Sequence, residues 1–140
     1  MEEHHSYNPL ATYEFAYNLA KTAKKREIYT LSGDLGVGKT VFAQGFASGL
    51  DISDNVVSPT FTILNIYEGS LPLYHFDMYR IEDLDELVNI GHEEYFYGDG
   101  ICLIEWPEMV IKEIPSNAIN IKITKSPEKG DDYRRIAITR

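Results

Sequence analysis

Cysteine and long hydrophobic runs are both scarce in this sequence. Because Cys102 is the only cysteine, the chain cannot form an internal disulfide. No apolar run approaches the ~20 residues that a membrane-spanning helix needs, and the acidic start of the chain lacks the hydrophobic segment of a secretion signal. We therefore expect a cytoplasmic protein that has no contact with a membrane. Cys102 lies within the apolar run 101–104, which predicts a buried thiol rather than a reactive one.

Basic residues are also in short supply. The sequence has 13 Lys and Arg residues against 22 Asp and Glu residues, which gives a formal net charge of −9. An acidic surface repels phosphate backbones, so the charge argues against a broad nucleic-acid-binding face and leaves room for a small basic patch or a protein partner. With 140 residues, 44% of them hydrophobic, the chain can bury a core, and we predict a single domain over residues 1–140.

A glycine-rich segment is the strongest signal in the sequence. Residues 33–40 read Gly-Asp-Leu-Gly-Val-Gly-Lys-Thr and match the pattern G-x-x-x-x-G-K-[ST] of a phosphate-binding loop. The glycines allow a backbone whose N–H groups surround phosphate oxygens, and the helix that begins near Lys39 adds the positive end of its dipole. Lys39 can reach the β- and γ-phosphates, and the Thr40 hydroxyl can hold Mg²⁺. The residues predicted to bind a nucleoside triphosphate here are Gly33, Asp34, Leu35, Gly36, Val37, Gly38, Lys39, Thr40 and Val41.

The hydrophobic pattern around the loop predicts an α/β fold. Residues 28–31 read as a strand before the loop, residues 41–47 read as a helix after it, and Asn8 followed by Pro9 is typical of a helix start. This arrangement predicts a P-loop NTPase-like mixed sheet, parallel at its centre with antiparallel hairpins and flanked by helices. The other predicted elements are a hairpin (61–67 and 73–76), two short helices (82–89 and 92–96) and three strands (101–105, 119–125 and 133–139).

Two acidic residues follow apolar runs and are candidates for the catalytic side of the site. A P-loop enzyme needs an acid at the end of a neighbouring strand, to hold Mg²⁺ or to position the attacking water. Glu105 ends the run 101–104 and Asp77 ends the run 73–76. The run before Glu105 looks more deeply buried, so we prefer Glu105 on the metal side. Trp106, the only tryptophan, is compatible with a place in the core or beside the site.

Other polar residues carry weaker signals. Residues 58–61, Ser-Pro-Thr-Phe, follow the loop helix at the distance of a switch segment, in which Thr60 would sense the γ-phosphate, although a loop that merely starts a strand fits as well. His75 reads better as a structural, hydrogen-bonded histidine than as a proton-transfer group. Arg80 suits a phosphate, an acidic partner or an ordinary surface position. The sequence has no Asn-Lys-x-Asp guanine-reading motif, which favours adenine.

Four segments in this order resemble the bacterial TsaE (YjeE) family. They are the loop at 33–40, the Ser-Pro-Thr-Phe segment at 58–61, His-Phe-Asp-Met-Tyr-Arg at 75–80 and Ile-Glu-Trp-Pro-Glu at 104–108, and the resemblance extends over nearly the whole chain. TsaE proteins are small ATPases of tRNA threonylcarbamoyladenosine (t6A) biosynthesis. Val37 stands where alanine is common in the family, and no essential family residue is missing.

The resemblance implies roles for individual residues. It places Thr40 and Glu105 on the Mg²⁺ side and makes Asp77 an essential acid, so that Asp77, Glu105 and Lys39 form the expected catalytic set. It brings Thr12 near the nucleotide. It also implies a nucleotide-contacting arginine in the last strand pair, where Arg134 and Arg135 both match, and of these we select Arg135.

The resemblance further implies partners and a function. TsaE works with the TsaB and TsaD subunits, and TsaD transfers a threonylcarbamoyl group to N6 of adenosine 37 in tRNA. The expected function is a Mg²⁺-dependent ATPase that resets this complex between turnovers and meets tRNA only through it. Two alternatives stay open: a non-catalytic module whose bound ATP shapes an interface, and a small-molecule kinase, for whose lid and acceptor segments the chain offers little room.

Overall fold

The structure of the chain is a computed structural model that describes residues 1–59 and 62–140. Thr60 and the predicted strand start at residue 61 therefore lie outside the described residues. The strands are β1 (Glu2–Ser6), β2 (Ile28–Ser32), β3 (Leu64–Tyr67), β4 (Leu73–Asp77), β5 (Ile101–Glu105), β6 (Ile119–Lys125) and β7 (Arg134–Thr139). The α-helices are α1 (Pro9–Lys21), α2 (Lys39–Gly49), α3 (Leu84–Ile90) and α4 (His92–Phe96), and 3₁₀ segments cover Pro107–Glu113 and Pro127–Lys129.

Within the described part of the chain, the strands form one sheet of seven in the order β1-β7-β6-β2-β5-β4-β3. The four central strands β6, β2, β5 and β4 pair in parallel. The pairs β1–β7, β6–β7 and β3–β4 are antiparallel. The predicted mixed sheet, parallel at its centre with antiparallel hairpins, is therefore confirmed. The arrangement brings the carboxyl ends of β2, β5 and β4 to one edge of the sheet, where ligands of open α/β sheets bind.

The two long helices pack closely against each other beside the sheet. The predicted start of α1 is confirmed, because the Asn8 side chain accepts a hydrogen bond of 2.8 Å from the Ala11 N–H and Pro9 stands in the first turn. Gly45 lies in the middle of α2, where a Cβ atom would collide with the backbone carbonyl of Tyr13 on α1. The glycine lets the two backbones approach, at the cost of some helix propensity.

The residues of β5 alternate between two hydrophobic clusters. Ile101 and Leu103 belong to the cluster that includes α1 and α2, whereas Cys102 and Ile104 belong to the cluster that includes α3 and α4. This alternation follows from the two-residue period of a strand that is covered on both faces. Cys102 is buried, so the prediction of a buried cysteine is confirmed, and burial raises the pKa of its thiol to about 12.

Some boundaries differ from the sequence predictions for identifiable reasons. Strand β3 begins at Leu64, because Ile63 has a φ of 67° and interrupts an extended strand. Helix α3 begins at Leu84 rather than at 82, because Asp83 is its N-cap and forms a capping box with Glu86. Strand β1 was not predicted, since its mostly charged and histidine residues give no alternating pattern, and it is held by pairing with β7.

Among the helices that the structure describes, none has the length and apolar character needed to cross a membrane.

Candidate nucleotide-binding site

A cleft of about 330 Å³ lies at the carboxyl edge of the central strands. The loop between β2 and α2 forms one wall, which we call the loop wall and which comprises residues 33–41. The ends of β4 and β5, with Ser58 from the segment after α2, form the other wall, which we call the acid wall. It comprises Ser58, Asp77 and Glu105, which line the cleft, and the buried His75, which hydrogen-bonds to Glu105. The cleft is lined by Leu35, Gly36, Gly38, Lys39, Thr40, Val41, Ser58, Asp77, Glu105 and Trp106.

The loop wall has the backbone that the glycine pattern predicts. Gly36 and Gly38 have φ angles of 76° and 110°, in a region that residues with a side chain rarely adopt. Helix α2 begins directly after Gly38, and no side chain in the described part of the chain caps it. The first-turn N–H groups of a helix without such a cap suit an anion, and the helix dipole favours negative charge at the same place.

Lys39 lies across the loop wall. Its ammonium group donates hydrogen bonds to the carbonyl oxygens of Gly33 and, at 3.4 Å, of Asp34, and it lies 3.9 Å from the centroid of the Trp106 ring. Burial lowers the pKa of Lys39, while the charges of nearby acids, with Glu105 foremost, act in the opposite direction. The side chain is thus held by backbone carbonyls and an indole face and can be drawn toward a phosphate.

Glu105 is the best-connected residue of the acid wall. It is 2% exposed, and its Oε2 accepts a hydrogen bond of 2.6 Å from His75 Nε2 and one of 3.3 Å from the Ser58 hydroxyl. Ser58 Oγ in turn accepts a hydrogen bond of 3.3 Å from the Thr40 hydroxyl. This chain of hydrogen bonds joins the two walls, because it runs from α2 through the segment after it to β5 and β4.

Asp77 stands beside Glu105 at the same edge. The two residues are register partners of the parallel pair β4–β5, and Asp77 Oδ1 accepts a hydrogen bond of 3.0 Å from the Tyr79 N–H. Burial raises the pKa of Asp77 and the charge of Glu105 adds to the rise, whereas the Tyr79 hydrogen bond and the charges of His75 and Lys39 oppose it. A carboxylate held by one backbone donor keeps a second oxygen for a proton or a water molecule.

A second, smaller cavity of about 40 Å³ also borders the loop and shares Gly38 and Val41 with the cleft. Thr12 is buried there, and its hydroxyl donates a hydrogen bond of 2.6 Å to Ser6 Oγ. Arg134 Nε donates a hydrogen bond of 2.7 Å to the carbonyl oxygen of Val37. The cavity is lined by Pro9, Thr12, Val37, Gly38, Val41, Asp132 and Arg134.

The structure separates the two arginines between which the sequence left a choice. Neighbouring residues of a strand point to opposite faces, so only one of them can reach the loop. Arg134 contacts the loop, whereas the guanidinium of Arg135 forms an ion pair with Glu3 on β1. Our choice of Arg135 as the nucleotide-contacting arginine is therefore not supported by the geometry, which favours Arg134.

The structure brings together most of the residues singled out in the sequence, and it adds some. Leu35, Gly36, Gly38, Lys39, Thr40 and Val41 line the cleft with Asp77 and Glu105, while Val37 and Thr12 line the second cavity. Thr60 lies outside the described residues. Sequence reasoning identified neither Ser6 as the partner of Thr12 nor His75 as the partner of Glu105. The contact of His75 with Glu105 joins two strands that are distant in sequence. The contact of Ser6 with Thr12 spans only six residues, but it joins α1 to the end of β1, a strand that the sequence pattern did not indicate.

With the geometry established, comparisons with known proteins give the family. A family model described as "Threonylcarbamoyl adenosine biosynthesis protein TsaE" matches residues 6–136, a range that holds every residue lining the cleft. The chain belongs to the TsaE family. This membership confirms the resemblance inferred from the four sequence segments, and the TsaE family takes part in the biosynthesis of threonylcarbamoyladenosine.

Individual TsaE proteins resemble the chain over most of its length. The TsaE protein of Bacillus subtilis is 47% identical over 133 residues, which cover 94% of this chain and 81% of that protein. The TsaE protein of Haemophilus influenzae is 39% identical over 127 residues, which cover 89% and 78%. The crystal structure of YdiB from Bacillus subtilis superposes with a TM-score of 0.82 at 40% identity and covers 98% of this chain and 83% of that one.

Proposed function

We propose that this chain is a Mg²⁺-dependent ATPase that serves threonylcarbamoylation of tRNA adenosine 37 in the cytoplasm, together with the TsaB and TsaD subunits. The observation that carries the proposal is the pairing of a phosphate-binding loop with two acids across one cleft. Lys39 lines the cleft from the loop wall, and Asp77 and Glu105 line it from the acid wall. Phosphoryl transfer to water requires these parts: a cradle for the phosphates, a place for a metal ion and a group that orients the water.

The loop wall would bind the triphosphate of ATP. The N-terminus of α2 and the Lys39 ammonium both favour the negative charge of the β- and γ-phosphates. Thr12 and Arg134 line the second cavity, which shares Gly38 and Val41 with the cleft but is lined by neither Asp77 nor Glu105. The nucleoside end of ATP would extend toward this cavity, since the γ-phosphate must face the acid wall.

Thr40 and Glu105 fit a Mg²⁺ ion. Hydroxyl and carboxylate oxygens are ligands that Mg²⁺ prefers, and P-loop sites use only one or two protein groups in addition to phosphate oxygens and water. Both side chains line the cleft and are joined through Ser58, and His75 fixes the orientation of the Glu105 carboxylate. When bound, Mg²⁺ would neutralise charge that develops on the phosphates.

Asp77 would orient the attacking water. Its carboxylate lines the cleft beside Glu105 and is held by the Tyr79 N–H, while Oδ2 is the oxygen that can accept a proton from water. The raised pKa brings this carboxylate closer to the range in which it exchanges protons at neutral pH. Glu105 and Asp77 would thus divide the chemistry, with the metal on one and the water on the other.

The experiment that tests the function is phosphate release from ATP. It compares the chain alone, the chain with its TsaB–TsaD counterparts, and the same mixtures with Glu105→Gln. We expect slow release by the chain alone and faster release with the partners, because a group supplied in trans can accelerate phosphoryl transfer by ~10³–10⁵. ATP binding without any turnover in the full mixture would favour a non-catalytic module, and turnover that needs a small-molecule acceptor would favour a kinase.

A further inference from the structure

A groove of about 380 Å³ lies beside the nucleotide cleft, between the start of α3 and the 3₁₀ segment Pro107–Glu113. Ile81 and Val110 are buried at its base. Leu84, Met109 and Ile111 form its walls and are 46%, 46% and 64% exposed. Exposed apolar side chains that converge on one groove, rather than being scattered singly, are typical of an interaction site.

The groove is surrounded by acidic residues. Glu82, Asp83, Glu108 and Glu113 contribute to its lining, and among the lining residues that the structure describes Lys112 is the basic one. Glu82 and Glu108 are exposed, and the charge of Glu108 reaches Lys39, whose pKa it acts to raise. A negative border around an apolar base attracts a cationic occupant and repels the phosphates of RNA.

The walls of the groove are held in place by contacts within the chain. Asp83 and Glu86 form the capping box that fixes the start of α3. On the opposite wall, Glu113 Oε2 accepts a hydrogen bond of 3.4 Å from His92 Nε2, and the His92 ring also contacts the Leu87 carbonyl oxygen at 3.2 Å. Because the groove is already formed, binding to it costs less conformational entropy.

Both walls continue directly from the acid wall of the nucleotide cleft. The first wall follows Asp77 along the chain through the exposed residue Tyr79, and the second follows Glu105 through Trp106. The rings of Tyr79 and Trp106 lie 4.7 Å apart, and Trp106 also contacts the Lys39 ammonium. An occupant of the groove would therefore touch the two segments that lead away from the proposed metal and water ligands.

We propose that this groove binds a basic, amphipathic segment of the partner protein, with apolar side chains on Leu84, Met109 and Ile111 and with Lys or Arg side chains facing Glu82 and Glu108. The inference rests on the proposed function, because it assumes that the chain works in a protein complex. The binding mode would be that of an amphipathic segment in a hydrophobic groove, and the acidic border would favour a positively charged segment.

The test measures the affinity of the full chain for the TsaB–TsaD complex by biolayer interferometry at low and high salt. The groove variants are Ile111→Ser and Glu82→Lys. The matched controls are Leu10→Ser and Glu14→Lys, which lie on α1; Leu10 is 63% exposed, close to Ile111, and Glu14 is exposed like Glu82. We expect each groove variant to weaken binding by about tenfold or more and each control to change it by about twofold or less. Binding of the wild-type chain should also weaken with salt.

The outcomes separate the inference from the function on which it rests. Wild-type binding that neither groove variant weakens would overturn the groove as the docking site and leave the partnership intact. Absence of wild-type binding would overturn the partnership itself. Two further measurements test other occupants. If sedimentation shows a dimer that Ile111→Ser abolishes, the groove binds a second copy of the chain. If the chain binds labelled tRNA and Ile111→Ser weakens that binding, the groove binds RNA.

Discussion

The two walls of the nucleotide cleft are built in different ways. The loop wall is one continuous segment, residues 33–41, and it presents backbone groups, the start of α2 and one lysine. The acid wall is assembled from side chains that are far apart in sequence: the pairing of β4 with β5 brings His75 and Glu105 together, and a hydrogen bond links Ser58 to Glu105. A backbone cradle suits binding, and positioned carboxylates suit chemistry. Substitutions in the two walls should therefore separate ATP binding from ATP turnover.

The largest effect is expected for Asp77→Asn. The amide cannot accept a proton from the attacking water, so turnover should fall by about 10²–10⁴, while ATP affinity stays close to that of the wild type. Phosphate release with the partner complex and calorimetric ATP titration measure the two quantities. Asp54→Asn, at an exposed position, is the matched control. Turnover by Asp77→Asn at the wild-type rate would remove the proposed role of this acid.

Glu105→Gln tests how metal binding and water positioning are divided between Glu105 and Asp77. The variant keeps the shape and the hydrogen bond to His75 but removes the charge that would hold Mg²⁺. We expect turnover to fall by about a hundredfold, a typical loss for one electrostatic contact in the transition state. The ATP affinity of the variant should also depend less on Mg²⁺ than that of the wild type does. A titration with and without Mg²⁺ that is indistinguishable from the wild type would place the metal elsewhere.

Lys39→Ala tests the loop wall. The substitution removes a cation and its contacts to the β- and γ-phosphates, so ATP affinity should fall by at least about tenfold, or about 1.4 kcal/mol. The melting temperature should change little, because within the described part of the chain the ammonium hydrogen-bonds to loop carbonyls and lies over the Trp106 ring. Lys122→Ala, on the exposed side of β6, serves as the control.

A smaller effect should distinguish the two arginines of β7. Arg134 holds the loop at Val37, so Arg134→Ala should weaken ATP binding by about two- to tenfold, the range of a lost hydrogen bond. Arg135→Ala removes a half-exposed ion pair with Glu3 and should leave ATP affinity unchanged. If Arg135→Ala alone weakened binding, the choice made from the sequence would be restored.

The smallest effect concerns stability. Because burial raises the pKa of Asp77 above the ordinary value of 3.8, the folded state binds this proton more tightly than the unfolded chain does. The resulting stability is present below the ordinary pKa and is lost as the pH rises through the raised one. Asp77→Asn should therefore gain free energy of unfolding relative to the wild type at pH 7 but not at pH 3.5. Urea unfolding at the two pH values measures the difference; an equal difference at both would contradict the assignment.

The sequence predicted the loop wall better than the acid wall, and the reason is physical. Residues that are neighbours in the chain determine the loop, β2, α2 and the N-cap of α1. Local patterns such as Gly-Lys-Thr and Asn8-Pro9 therefore reveal these features. The contact of His75 with Glu105 depends on the register of β4 against β5. The choice between Arg134 and Arg135 depends on which face of β7 meets the loop, and β1 depends on its pairing with β7. A single sequence without pairing information cannot supply any of these.

The most direct measurement of the division between the walls is a calorimetric titration of ATP with Mg²⁺ into three proteins: the wild-type chain, Lys39→Ala and Asp77→Asn. Folding of each is checked by its melting curve. If the loop wall binds and the acid wall reacts, the wild type and Asp77→Asn will bind ATP with the same affinity, and Lys39→Ala will bind at least about tenfold more weakly. Wild-type affinity in a folded Lys39→Ala variant, or equal losses in both variants, would contradict the account.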